Sequence, residues 1–166
     1  MEAGHWLPRD LCMRYYISAA ILIIADQLIK FWTRTTLLPG DSINVIGNFF
    51  KLTYVINKGA ALNFLSGQRM ILIIVPVAII VIAGVYLIMH RGAHWTLKTA
   101  LMLVMAGGFG NLIDRVLMGQ VTDMFSFSIF PPVFNLADAA VTIGCALLII
   151  YVLFGDKFKK HKRKGR

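Results

Sequence analysis

Charge is scarce in this sequence. Only 15% of its 166 residues are Asp, Glu, Lys or Arg, where a soluble globular domain carries about 25%. Acids are scarcer still, eight against seventeen Lys and Arg, and 58% of positions are hydrophobic. These shortages exclude an ordinary soluble domain and equally a disordered chain. Cysteine is nearly absent, and two cannot build a disulfide framework. No two Cys/His pairs sit at zinc-finger spacing, so no structural metal is expected.

What the chain has is long apolar runs. A membrane-crossing helix needs about 20 mostly apolar residues, and residues 70–89 supply such a run without a charge. Three further spans are expected at about 15–32, 99–114 and 136–154, giving four transmembrane helices in a single polytopic membrane domain. The first span runs into Asp26-Gln27 with no small-x-small cleavage site, so it reads as a retained helix rather than a signal peptide. Between the spans, residues 34–68 have strand character. Phe50, Leu52, Tyr54 and Ile56 alternate with Lys51, Thr53 and Val55, the period of a half-buried strand. Gly47-Asn48 turns a hairpin, and Ala60–Leu65 suits a short interfacial helix. Residues 116–135 form a second loop, with Pro131-Pro132 marking a plain extended stretch. The Met and Phe residues read as lipid-facing or packing residues of the spans. The expected class is an all-α membrane protein with a small extracytoplasmic β-sheet.

Basic residues set the orientation. With four spans, Arg9, Arg14, Arg91, Lys98 and the seven bases of the tail 157–166 lie on one side, which is expected to be cytoplasmic. The tail adjoins a span, so its partner is read as anionic lipid rather than nucleic acid. All four histidines fall on that side, as does Cys12, while Cys145 lies mid-span as an apolar filler. No Ser/His or Cys/His device can form at the opposite leaflet, which instead gathers Asp26, Asp114, Asp123 and Asp138.

An ionisable side chain within a span is costly, and two of these acids occur in a repeated pattern. Asn111-Leu112-Ile113-Asp114 and Asn135-Leu136-Ala137-Asp138 are the same N-x-x-D unit, which puts amide and acid on one helical face. Ala106, Gly107, Gly108 and Gly110 let the third and fourth spans approach closely, setting Asp114 beside Asp138. Neighbouring carboxylates share a proton, so one can act as general base on water while the other polarises a carbonyl. The residues alone leave other readings open. The same acids suit a small proton- or ion-coupled transporter. Asp114-Arg115 and Asp26 with Lys30 also suit the interfacial ion pairs of a non-enzymatic assembly protein.

Five segments carry a resemblance. They are Asp26-Gln27-Leu28-Ile29-Lys30, Asn57-Lys58-Gly59-Ala60-Ala61, Gly110-Asn111-Leu112-Ile113-Asp114-Arg115, Val121-Thr122-Asp123 and Phe134-Asn135-Leu136-Ala137-Asp138. In this order, over most of the chain, they resemble the bacterial lipoprotein signal peptidases (signal peptidase II). The resemblance implies a membrane aspartyl endopeptidase that removes signal peptides from prolipoproteins, cutting just before a diacylglyceryl-modified Cys. It implies that Asp114 and Asp138 are the catalytic dyad. Asn57, Gly59, Asn111, Arg115, Asp123, Asn135 and Ala137 bind substrate or support the site, and Asp26 and Lys30 are scaffolding. It implies no cofactor, a bacterial inner-membrane location with both termini cytoplasmic, and a monomer whose partners are prolipoprotein and membrane lipid. The chain departs from the family pattern at Leu62 and Met124, where Phe is usual; both positions are expected to line the substrate groove.

Overall fold

The computed structural model describes the backbone of residues 9–60 and 64–164. The element order is α1 (Arg9–Thr36), β1 (Ser42–Ile46), β2 (Phe50–Asn57), α2 (Arg69–Met89), α3 (Trp95–Met118), β3 (Val121–Phe127), β4 (Phe130–Phe134) and α4 (Leu136–Lys164). Among the described residues, four stretches are long and apolar enough to cross a membrane: Met13–Thr36, Arg69–Met89, Trp95–Met118 and Leu136–Phe154. The third outruns its expected 99–114 at both ends for local reasons. The His94 side chain caps its start by accepting from the Thr96 N–H, and Gly119 ends it with a left-handed φ of 74°. Polar residues just inside those signals had hidden the true ends.

The interior is the reverse of a soluble core. The largest fully buried side chains are Lys30, Met124, Asn135, Thr33, Asp26, Asp114 and Asp123, while Ile82 and Val152 are 69% and 78% exposed. Where the solvent is hydrocarbon, apolar burial gives little drive for helices to associate, and close packing and interhelical hydrogen bonds take over. α3 is central and packs against α1, α2 and α4. Its contact with α4 depends on glycine. A Cβ on Gly107 would run into the Ala137 carbonyl oxygen, and one on Gly144 would lie 2.8 Å from that of Ala100.

The four strands form one antiparallel sheet in the order β1-β2-β3-β4. Both hairpins lie at the end of the bundle where α1 and α3 finish and α2 and α4 begin. The first hairpin turns at Gly47, φ 48°, with the Phe49 N–H donating to the Ile46 carbonyl at 2.9 Å. The second hairpin corrects the expectation for 116–135. Pro131 and Pro132 sit in β4, an edge strand that pairs with β3 on one side only, through Phe130 and Phe134 with an irregularity between, so missing N–H groups are tolerated there. Phenylalanine also departs from the expected placement. Phe49, Phe50, Phe125, Phe127, Phe130 and Phe134 form a continuous ring cluster on the sheet, with Phe50 stacked on Phe127 at 4.7 Å. Of the expected interfacial helix, residues 61–63, including Leu62, lie outside the described residues. Phe64–Gly67 is a turn, with Leu65 at φ 58°.

Candidate active site

The acids meet where the sheet joins the helices. α1 contributes Asp26, Gln27, Lys30 and Arg34 from successive turns of one face. Lys30 is wholly buried, and its Nζ donates to Asp26 Oδ2 at 2.9 Å, Asn111 Oδ1 at 2.9 Å and Asp114 Oδ2 at 3.3 Å. A buried charge is tolerable only when paired and fully hydrogen-bonded. Asp26 also holds the start of α4, where its Oδ1 accepts the Ala137 N–H at 2.9 Å and so satisfies one of the orphan donors of that helix N-terminus. Ala137 is itself fully buried, and a Cβ on Gly110 would lie 3.1 Å from its methyl group, so nothing larger fits there.

Asp114 belongs to this cationic pocket. Its Oδ1 accepts from Gln27 Nε2 at 3.2 Å and lies 3.7 Å from the Arg34 guanidinium. Its Oδ2 accepts from the Thr122 N–H at 3.1 Å as well as from Lys30. The side chain is 0% exposed. The residue of α3 that meets Asp138 is Asn111, one turn earlier: its Nδ2 donates to Asp138 Oδ1 at 2.7 Å.

Asp138 is half-buried in the first turn of α4 and closes a reciprocal cap with Asn135. The Asn135 N–H donates to Asp138 Oδ2 at 3.2 Å, and the Asp138 N–H donates to Asn135 Oδ1 at 2.8 Å. With Oδ1 so committed, the Asn135 amide nitrogen faces Asp123, donating to its Oδ1 at 2.6 Å. Asp123 Oδ2 accepts from Asn57 Nδ2 at 3.0 Å, and Asn57 is held in that orientation by the Gly59 N–H on its Oδ1 at 2.9 Å. Arg115 donates to the Gly59 carbonyl at 2.9 Å, and its charge acts on Asp138, Asp123 and Asp114. Asn135 thus touches two carboxylates at once, Asp123 from β3 and Asp138 from α4. Among the described residues, no buried side-chain nitrogen or oxygen lacks a partner, and no group of three or more His, Cys, Asp or Glu is arranged to hold a metal ion.

The two pockets differ in charge. Asp114 is matched by Lys30 and Arg34, whereas the hydrogen-bond donors on Asp123 are neutral amides. Burial, and then the charge of Asp138, push the Asp123 carboxyl up to about 6, against the pull of Asn57, Asn135 and Lys30. Folding therefore favours its protonated form. The stability this contributes is complete below about pH 4 and is lost as pH rises through about 6. The Tm of the native chain minus that of Asp123→Asn, by thermal unfolding in detergent, should be larger at about pH 4.5 than at about pH 7, values that bracket the titration. An equal difference at both pH values would contradict it.

Gln27, Arg34 and Thr122 are members of the acid network that sequence reasoning did not single out. Gln27 carried a readable signal, an amide inside a span beside an acid. Arg34 and Thr122 did not, because only the crossing of α1 over β3 brings them together, 3.2 Å apart. Met124, expected to line a groove, is wholly buried.

Four membrane-crossing helices that bury carboxylates in polar pockets beside a small sheet define an integral membrane protein with the equipment for acid–base chemistry. Comparison with known proteins narrows the class. Residues 18–154 match the family model for Signal peptidase (SPase) II. Proteins called lipoprotein signal peptidase are similar over nearly their whole length. That of Halothermothrix orenii is 43% identical over 143 residues, covering 86% of this chain and 97% of its own. That of Clostridioides difficile is 41% identical over 143 residues, covering 86% and 96%. One from Staphylococcus aureus is 38% identical over 157 residues, covering 90% and 96%. Two solved structures, described as bacterial membrane enzymes determined by the in meso method at 2.3 Å and 1.9 Å, superpose with TM-scores of 0.79 and 0.76. Each is 37% identical and covers 84% of this chain, and the alignment spans 87% and 92% of theirs. The chain belongs to the signal peptidase II family and is a membrane peptidase, a hydrolase.

Proposed function

We propose that this peptidase removes signal peptides from bacterial prolipoproteins, cutting before the diacylglyceryl-modified Cys, with Asp123 and Asp138 as the acids that activate water. One observation carries the choice of pair: Asn135 donates to both carboxylates, from its side chain to Asp123 and from its backbone to Asp138. The resemblance pairs Asp138 with Asp114 instead. Asp114 is the weaker candidate, because its oxygens are taken up by Lys30, Gln27, Arg34 and the Thr122 N–H.

In this reading Asp138, the more exposed of the two, takes a proton from water as the water oxygen bonds to the scissile carbonyl carbon. Asp123 carries the shared proton, consistent with its raised pKa, and donates a hydrogen bond to the carbonyl oxygen. The C–N bond then breaks and the proton taken up by Asp138 passes to the departing amine. No covalent intermediate and no cofactor take part. Asn57, Asn111 and Asn135 orient the acids. Arg115 ties the segment at Gly59 to them, and Ala137 is small enough to let α3 approach.

The hydrophobic arrangement suits a substrate whose signal helix and lipid chains stay in the bilayer. With eleven of the seventeen Lys and Arg residues on the other side, the site faces the outer leaflet of the inner membrane and both termini are cytoplasmic. The protein acts there as a monomeric single domain, its basic tail against anionic lipid. The test is cleavage of a synthetic precursor peptide by purified protein in lipid–detergent micelles. A peptide bearing diacylglyceryl-Cys should be cut before that Cys, with kcat/KM about 100-fold above that of the unlipidated peptide. Equal rates, or a cut elsewhere, would refute the assignment.

A further inference from the structure

Lys30 touches no exposed surface, yet it stands one side chain away from Asp138. Its ammonium has three N–H bonds and three acceptors in range: Asp26 Oδ2, Asn111 Oδ1 and Asp114 Oδ2. An ammonium only donates, so the atom of Asn111 facing it is the amide oxygen. Asn135 Nδ2 places a second donor on that same oxygen at 3.1 Å. The Asn111 amide group is planar, so its NH2 then points the other way, to Asp138 Oδ1 at 2.7 Å. The charge on α1 thereby decides which end of an α3 amide meets the acid on α4.

We propose that Lys30 is a positioning residue for Asp138, acting through the side chain of Asn111. Without the ammonium, the Asn111 oxygen keeps only the Asn135 donor at 3.1 Å, so its amide is held less firmly. The NH2 group that meets Asp138 can then shift, and it takes the carboxylate out of line with the scissile bond. Lys30 meets no substrate, so its effect falls on kcat and leaves KM nearly alone. The inference rests on the reading of Asp138 as the base.

Lys30→Met alone would strand Asp26 and Asp114 without their cation. The test therefore uses Asp26→Asn as its reference, which balances the charge and keeps an oxygen for the Ala137 N–H. In that background Lys30→Met should lower kcat about tenfold or more, with KM changed by less than about threefold. Asn111→Leu should lower kcat comparably, and adding Lys30→Met to it should cost less than about threefold more, since both act on one contact. A loss in kcat below tenfold, or losses that multiply as for independent sites, would overturn the relay. Asp138→Asn measured in the same background separates the two claims: activity retained there would mean that the base is misassigned, whereas activity lost there with Lys30→Met silent would sink the relay alone.

Discussion

Asp138→Asn and Asp123→Asn should each lower kcat for a lipidated precursor peptide by about 10³-fold or more. Both should leave a folded protein, seen as a cooperative thermal transition in detergent. An amide at position 138 cannot take a proton from water, and one at 123 cannot hold the shared proton. The pair works as a unit, so replacing both should cost little more than replacing one. The structural side of each change is modest. Asn at 138 retains an oxygen for the Asn135 cap, at the loss of the acceptor for Asn111 Nδ2, and cap changes are worth about 1 kcal/mol. Asn at 123 keeps an acceptor for one of its two amide donors. A variant at either position with kcat within about tenfold of the native chain would remove that acid from the chemistry.

Asp114→Asn should act on stability instead. Asp114, Asp26 and Lys30 are fully buried together, and the partly exposed Arg34 guanidinium lies 3.7 Å from Asp114, so two acids face two bases. Neutralising Asp114 leaves the wholly buried Lys30 with one acid in place of two. Breaking a buried pair from one side costs about 3–5 kcal/mol. The new NH2 group would also face N–H donors, because Asp114 accepts from both Gln27 and Thr122. A loss of that size lowers Tm by about 10 °C in a chain of this length, well beyond the shift for Asp138→Asn, whose carboxylate is half-exposed. Thermal unfolding of the two variants side by side checks this; equal Tm shifts would mean that Asp114 is not the structural acid.

Much of the architecture was legible because its signals are local. Residues 70–89 are long enough and apolar enough to be read as α2 from composition alone. Gly47 marks the first hairpin because the turn needs a positive φ. The second hairpin was hidden by Pro131 and Pro132, which argue against a strand everywhere except on an edge, and edges are a tertiary property. The gathering of four acids at one end follows from counting spans. Their division into two pockets does not. The repeated N-x-x-D unit makes Asp114 and Asp138 look alike, and helix periodicity says nothing of α1, some eighty residues earlier, crossing behind α3 to place Lys30 and Gln27 on Asp114. Nor does it show that β3 swings Asp123 under Asn135. Partner choice among the three acids is decided by long-range packing, which the motifs do not encode.

The most direct measurement is a structure with a lipidated peptide analogue whose scissile carbonyl is replaced by a tetrahedral carbon bearing a hydroxyl, a mimic of the attacked intermediate. The expected result is that hydroxyl between Asp123 and Asp138, within about 3 Å of an oxygen of each. A hydroxyl held by Asp114, or by neither member of the pair, would contradict the proposed chemistry.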